Sequence, residues 1–151
     1  MNFHNPDYVD ISVHIHASES EKKVLKAIKN ILPNNIDIVE FKVSRDVFRG
    51  HHGNPIVRLE LKMRGRRKVR EIYENIFKKL TGLRGGGWIK ERFDDKKNKL
   101  YLRLDKQLAY LGEIRLTDGD DVIRVIFSFP GYDKIPGDQL EKEVNERFPS
   151  E

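Results

Sequence analysis

No cysteine occurs among the 151 residues. That excludes disulfides, thiolate metal ligands and a cysteine nucleophile. No apolar run approaches the ~20 residues that cross a bilayer, and the opening MNFHNPDYVD lacks the basic-then-apolar order of a secretory signal. The expectation is a cytoplasmic protein with no membrane partner. Glutamine is scarce, while Lys, Arg and Glu are abundant, a balance that fits a heat-adapted source. No serine-nucleophile motif and no paired-carboxylate spacing stands out. Gly85-Gly86-Gly87 lacks the Gly-Lys-Ser/Thr ending of a phosphate loop, and no helix start is evident after it, so it reads as a flexible connection. Trp88 behind it reads as a core anchor rather than a base-stacking residue.

The most informative absence is local. From Lys62 to Arg70 there is no acid, while Lys62, Arg64, Arg66, Arg67, Lys68 and Arg70 are all cationic. Gly65 turns the chain here from a strand into a helix. Helix N-termini already carry partial positive charge and normally attract acids. Cations at this end are locally unfavourable unless an anion shares the site, and a phosphate backbone is the obvious one. The alternative is a solvated basic face with no ligand. The wider charge pattern agrees: residues 42–90 hold 14 Lys and Arg against 4 Asp and Glu, a net of +10, whereas residues 1–41 hold 4 against 6 and residues 91–151 hold 11 against 14. The total of +5 therefore hides a basic central block between mildly acidic ends.

What is present predicts the elements. Tyr8–His16 alternates strictly, with Val9, Ile11, Val13 and Ile15 on one face and Asp10, Ser12, His14 and His16 on the other. Ser18 and Glu21 have capping-box spacing ahead of a helix whose stripe is Val24, Leu25, Ile28, Ile31 and Leu32. Pro33-Asn34-Asn35 ends it. Ile36–Val43 reads as a strand with a bulge near Ile38. Gly50–Pro55 is a loop, and Ile56–Met63 alternates again, so the two strands form a long hairpin with His51 and His52 at its tip. Val69, Ile72, Tyr73, Ile76, Phe77 and Leu80 match the helical template throughout; Gly82 reads as the cap. Leu100–Asp105, Gly112–Leu116 and Val122–Phe129 read as strands, the last two joined by a turn at Thr117–Asp120. Leu140, Val144 and Phe148 mark a short final helix beyond a Pro/Gly-punctuated linker.

This order predicts an α+β fold, an open mixed or antiparallel sheet with two main helices on one face. Its other face would show Lys42, Arg58, Lys62, Arg103, Arg115 and Arg124. The expected division is a single α+β RNA-binding domain over 1–129, then a linker and short C-terminal helix over 130–151.

Two function classes follow. Nucleic-acid binding accounts for the basic block, the cationic helix start and the basic strand faces. No helix-turn-helix pattern points to major-groove reading. Shape-led RNA binding instead uses a loop in the minor groove and a basic helix terminus on phosphates. The candidate RNA-binding residues are Arg49, His51, His52, Lys62, Arg64, Arg66, Arg67, Lys68 and Arg70. Double-stranded-RNA-binding domains use a similar loop and helix start, but only two strands, not three, lie between the main helices here. The second class is a metal-dependent phosphoesterase built on His14, His16 and the loop histidines. A catalytic metal needs three ligands and an open position, and only the pair His14/His16 is secured by strand geometry. The expectation is therefore no catalysis, no metal and no cofactor.

The segments ISVHIHASESEKKVLKAI, GHHGNPI and LYLRLDKQLAYLGEIRL resemble an archaeal family of RNA-binding proteins assigned to the exosome. The resemblance covers roughly residues 8–128, most specifically at Gly50–Pro55 and Leu104–Glu113; the stretch Gly82–Gly87 and the tail from Pro130 lie outside it. It implies a fold similar to the ribosomal-protein-five-like fold, and RNA binding without catalysis. RNA-degradation machinery is the partner it implies.

Overall fold

In chain order, a computed structural model describing residues 3–149 contains β1 (Tyr8–His16), α1 (Glu21–Ile31), a 3-10 turn (Ile38–Glu40), β2 (Lys42–Arg49), β3 (Pro55–Arg64) and α2 (Arg66–Lys79). Then come α3 (Trp88–Arg92), β4 (Phe93–Asp94), β5 (Lys99–Asp105), α4 (Lys106–Tyr110), β6 (Val122–Ser128) and α5 (Gly137–Arg147). The sheet order is β2-β3-β1-β6-β5-β4, antiparallel at every step.

The period-two pattern of β1 sets the layers. Val9, Ile11 and Val13 are buried. Register places Met63, Leu61 and Leu59 of β3 beside them on one side, and Phe127, Val125 and Ile123 of β6 on the other. β5 continues the layer with Leu100, Leu102 and Leu104. The helices bury their stripes against this face: Val24, Ala27, Ile28 and Ile31 of α1, and Val69, Ile72, Tyr73, Ile76 and Phe77 of α2. Each large apolar side chain so removed from water contributes about 1.5–3 kcal/mol. The fold class expected from the sequence is the one observed; the expected final helix is α5, and α3 and α4 are added to the helices read from the sequence.

Several local expectations need correction. Residues 36–41 are not a strand. Asp37 N–H donates to Glu40 Oε2 at 2.8 Å and Glu40 N–H to Asp37 O at 3.0 Å, which closes a turn before Phe41 is buried. The strand begins only at Lys42 and runs to Arg49. Every residue of β2 is exposed, Val43 and Val47 included, so this edge strand is an arm rather than a core strand. The cap of α1 is Ser20, not Ser18: Lys23 N–H donates to Ser20 Oγ at 3.4 Å, while the Glu19 carboxylate accepts from His16 N–H at 2.9 Å.

Gly112–Leu116 is not a strand either. Asp105 caps α4, its Oδ1 accepting from Leu108 N–H at 2.9 Å. Gly112, at φ +92°, then closes the helix with a bond to Ala109 O. Only single bridges follow, Thr81 to Arg115 and Leu104 to Leu116, although Ile114 and Leu116 are buried as expected. Gly82 is not the cap of α2, which ends at Lys79 with Leu80 as its cap. A Cβ there would meet Leu116 O at 2.8 Å, so glycine permits the backbone to pass close to that bridge. A helix does follow Gly87, the five-residue α3, and its Trp88 is buried as read.

After β6 the chain is tied down by one residue. Asn98 is fully buried at φ +56°. Its side-chain amide donates to Pro130 O at 3.1 Å and Asp133 O at 2.9 Å, and its backbone carbonyl accepts from Phe129 N–H at 2.9 Å. α5 then buries Leu140 and Val144, and Phe148 stacks on Phe77 at 5.4 Å.

Candidate nucleic-acid interface

The strand-to-helix turn at the end of β3 is made by Gly65, at φ +150° with its N–H on Asp7 O at 2.9 Å. No side chain caps α2 and no acid lies in its first turn. The four cations of this end are exposed, but they are not equivalent. Lys68 pairs with Glu40, whose carboxyl that bond holds below its usual range. Arg70 lies 3.4 Å from Glu74 in an i,i+4 pair. Arg66 reaches only the Tyr132 hydroxyl, at 3.4 Å. Among the described residues no acid lies within salt-bridge distance of Arg66 or Arg67. Those two, with Arg70, edge a cleft walled by Phe3–Asp7 and by Pro130 and Tyr132. Next to it, the Arg64 guanidinium stacks over the Tyr8 ring at 4.7 Å and Lys62 lies 3.4 Å from Glu60.

The hairpin tip is built by its backbone. Gly50 N–H donates to Asn54 O at 2.7 Å, and Gly53, at φ +80°, donates to Gly50 O at 2.9 Å. Arg49 crosses the loop to Gly53 O at 2.9 Å. The rings of His51 and His52 meet edge to face at 5.3 Å and are exposed. With His16 they line one shallow hollow. Ten residues of β3 separate this tip from Gly65, about 30 Å at ~3.3 Å per residue. The structure therefore gathers Lys62, Arg64, Arg66, Arg67, Lys68 and Arg70 at one end of the sheet. Arg49, His51 and His52 lie at the other.

Of the two strand histidines considered as a metal pair from the sequence, only His16 joins a converging group of ligand atoms among the described residues. His14 packs edge-on against Phe48 at 5.5 Å. Burial, then the nearby Arg58 and Arg124 charges, hold its pKa below the usual value. Among the described residues, the ligand atoms of His16, Glu19 and Asp121 come close enough to converge on an ion. A lysine already sits there. Lys106 is 3% exposed, and its ammonium reaches Glu19 Oε1 at 2.8 Å, Asp121 Oδ1 at 2.7 Å and His14 O at 3.0 Å. All three ammonium protons are thereby used. Sequence reading missed Lys106, because a lysine in a five-residue helix carries no pattern that announces burial.

A family model described as RNA binding matches residues 8–129, and the chain belongs to that family. It is 36% identical over 145 residues to an uncharacterized protein of Methanocaldococcus jannaschii, covering 90% of this chain and 93% of that one. It is 34% identical over 122 residues to a protein of Pyrococcus abyssi named as RNA-binding, covering 78% of this chain and 77% of that one. Among solved structures, a DUF54 protein from Methanothermobacter thermautotrophicus superposes with a TM-score of 0.74 at 26% identity, over 94% of this chain and 97% of that one.

Proposed function

We propose that this chain binds structured RNA without cleaving it, and serves RNA processing or decay in the cytoplasm alongside RNA-degradation machinery. The observation that carries the reading is the pair Arg66 and Arg67. They stand at an uncapped helix N-terminus with no acid in the first turn and, among the described residues, none pairing them. Together with family membership, such a site supports phosphate binding. Lys62, Arg64 and Arg70 extend the track, and Lys68 contributes once its bond to Glu40 yields. The hairpin tip, about 30 Å away along β3, suits contact with the same RNA further along its axis, as shape-reading domains touch a minor groove and separate phosphates. Lys106, seated between Glu19 and Asp121, supports a structural rather than a catalytic role for the carboxylates nearest His16.

A salt titration of binding to matched RNA and DNA duplexes tests this. Removing one phosphate-binding cation lowers the slope of log K by ~0.9 on a duplex. Replacing Arg66, Arg67 and Lys68 by alanine is expected to lower it by ~1.8 for the two unpaired arginines and up to ~2.7 if Lys68 also leaves Glu40 for phosphate, weakening all sequences alike. Replacing His51 and His52 is expected to reduce the preference for RNA over DNA, because a minor-groove loop meets 2′-hydroxyls. An unchanged slope in the triple variant would reduce the basic run to a solvated surface. Zinc or manganese bound stoichiometrically, with RNA cleavage lost in His16→Ala, would instead establish the phosphoesterase. Copurification with a ribonuclease complex from native cells tests the assignment to RNA decay.

A further inference from the structure

The face of the sheet opposite the helices gives the site above only Lys62 and Arg64, at one end of β3. Register assigns its members. On β1 they are Tyr8, Asp10, Ser12 and His14. Arg58 of β3 is beside His14, with Asp46 of β2 opposite Arg58; Phe48 lies two residues further along β2, opposite Ile56. Arg124 and Arg103 flank Ser12 on the β6 and β5 side. Tyr101 lies one residue pair beyond Arg103, beside Ile126.

Two features of this face stand out. First, Arg103 and Arg124 are directly opposite one another. Like charges in that position repel, and no described acid pairs with Arg124. Arg103 has only Gly119 O and the fully exposed Asp120, at 3.8 Å. With Arg58 and His14 they line one hollow. Second, aromatic rings flank the cations on both sides. Tyr101 and Phe48 are 38% and 42% exposed, and the His14 ring stands against Phe48. From β5 to β2 is four strand spacings, about 19 Å. Arg58 is paired with Glu60 at 3.4 Å and faces Asp46, but Arg124 has no described acid partner and Arg103 only the exposed Asp120. Aromatic rings beside these two arginines on an open sheet match the two needs of an unpaired strand, stacking for bases and cations for phosphates. A duplex, whose bases are stacked inside, would leave the rings idle.

We propose that this open face is a platform for single-stranded RNA, with bases stacked on Tyr101 and on Phe48 beside His14, and phosphates held by Arg103 and Arg124. The proposal rests on the RNA-binding reading and adds a single-stranded segment to the RNA recognised.

Binding is measured to an oligouridine of about ten nucleotides, within the usual site sizes of single-strand binders. It is also measured to a blunt RNA duplex of roughly 16 base pairs, and to that duplex with a single-stranded overhang. The wild type is expected to prefer the overhang duplex to the blunt one. Tyr101→Ala and Phe48→Ala together are expected to weaken oligouridine binding at least fivefold, the minimum for losing roughly 1 kcal/mol of stacking. They are expected to leave the blunt duplex untouched, and Tyr101→Phe to retain affinity. Arg103→Gln with Arg124→Gln is expected to lower the single-strand salt slope by ~1.4, at ~0.7 per phosphate. Photocrosslinking with 4-thiouridine in the oligonucleotide is expected to label the Tyr101 or Phe48 peptide. Equal binding of blunt and overhang duplexes, or an aromatic double variant with wild-type affinity, overturns the platform and leaves the duplex reading standing. Failure of the wild type to bind any of these RNAs overturns both. A change in oligomeric state of the double variant, without a change in RNA binding, would make the face an interface between copies and overturn the platform too.

Discussion

The two faces of this sheet come from the same strands, yet they differ in kind. Along β6, Val125 and Phe127 are fully buried beneath the helices, while Arg124 between Ile123 and Val125 is exposed. On the covered face of β1, β3, β5 and β6 the cross-strand neighbours are apolar and the arrangement is fixed by packing. On the open face arginine meets arginine, and rings stand in water. Packing explains the first arrangement completely. The second carries features that stability alone would not select, so that is where function is to be sought.

The largest effect expected is on the covered face. Phe127→Ala removes a fully buried ring that meets Tyr73 edge to face at 5.1 Å. The expected loss is about 3–5 kcal/mol, transfer plus cavity, read from urea unfolding. Arg124→Ala, three residues earlier, is expected to fall within about 0.5 kcal/mol of wild type. A comparable loss at both positions would erase the distinction between the faces.

Lys106 lies where the faces meet, at the end of β1, and should fall between these extremes. Lys106→Met keeps the stem and removes the ammonium, leaving Glu19 and Asp121 without their shared cation. Both carboxylates are partly in solvent, so the expected loss is about 2 kcal/mol, below the 3–5 kcal/mol of a fully buried pair. Asp121, held below the normal carboxylate range by Lys106 and Gln107 despite its partial burial, should titrate higher in this variant by NMR. A neutral effect on stability would show the cluster to be surface ion pairing, and would reopen His16, Glu19 and Asp121 as a metal site.

What the sequence made legible follows the same division. The covered face was readable because burial imposes a period: two in β1 and β3, 3.6 in α2, where Val69, Ile72, Tyr73, Ile76 and Phe77 all fall inside. What escaped was held by tertiary contacts of single residues. The α4 turn depends on the Asp105 cap and the Lys106 ammonium, and the tail depends on Asn98. None of these leaves a pattern. Residues 36–41 misled because Ile36, Ile38, Val39 and Phe41 look strand-like, although the pair Asp37 and Glu40 closes a turn. Of the candidate site, charge was legible and geometry was not. Arg66 and Arg67 are distinguished from Lys68 only by Glu40, which lies 28 residues away in sequence. Outward arginines could be named on each strand, but which two oppose required the β5–β6 register.

A smaller effect than that of Lys106 tests how open the open face is. Asp10 lies on it, yet it is only partly exposed and its Oδ1 is buried without a partner among the described residues. Burial, then the charge of Glu60 and a hydrogen bond shared with it, raise the Asp10 pKa to about 6, against the pull of Lys62 and Arg58. No titratable group faces it from β6, where Ile126 is its neighbour. The folded state thus binds this proton more tightly than the unfolded chain. The resulting stability is present below the unfolded pKa of 3.8 and is lost as pH rises to about 6. His14, with its lowered pKa, acts in the opposite sense, its contribution being lost as pH falls below 6.5. The raw profile is therefore a composite, and the informative quantity is the difference between wild type and Asp10→Asn. The amide imitates the protonated acid at every pH and can still donate to Glu60. Its stability relative to wild type should rise by on the order of 1 kcal/mol between pH 4 and pH 7, after the screening that a partly exposed group receives. A flat difference would mean that water reaches Asp10 freely, and that the open face is wet down to its central strand.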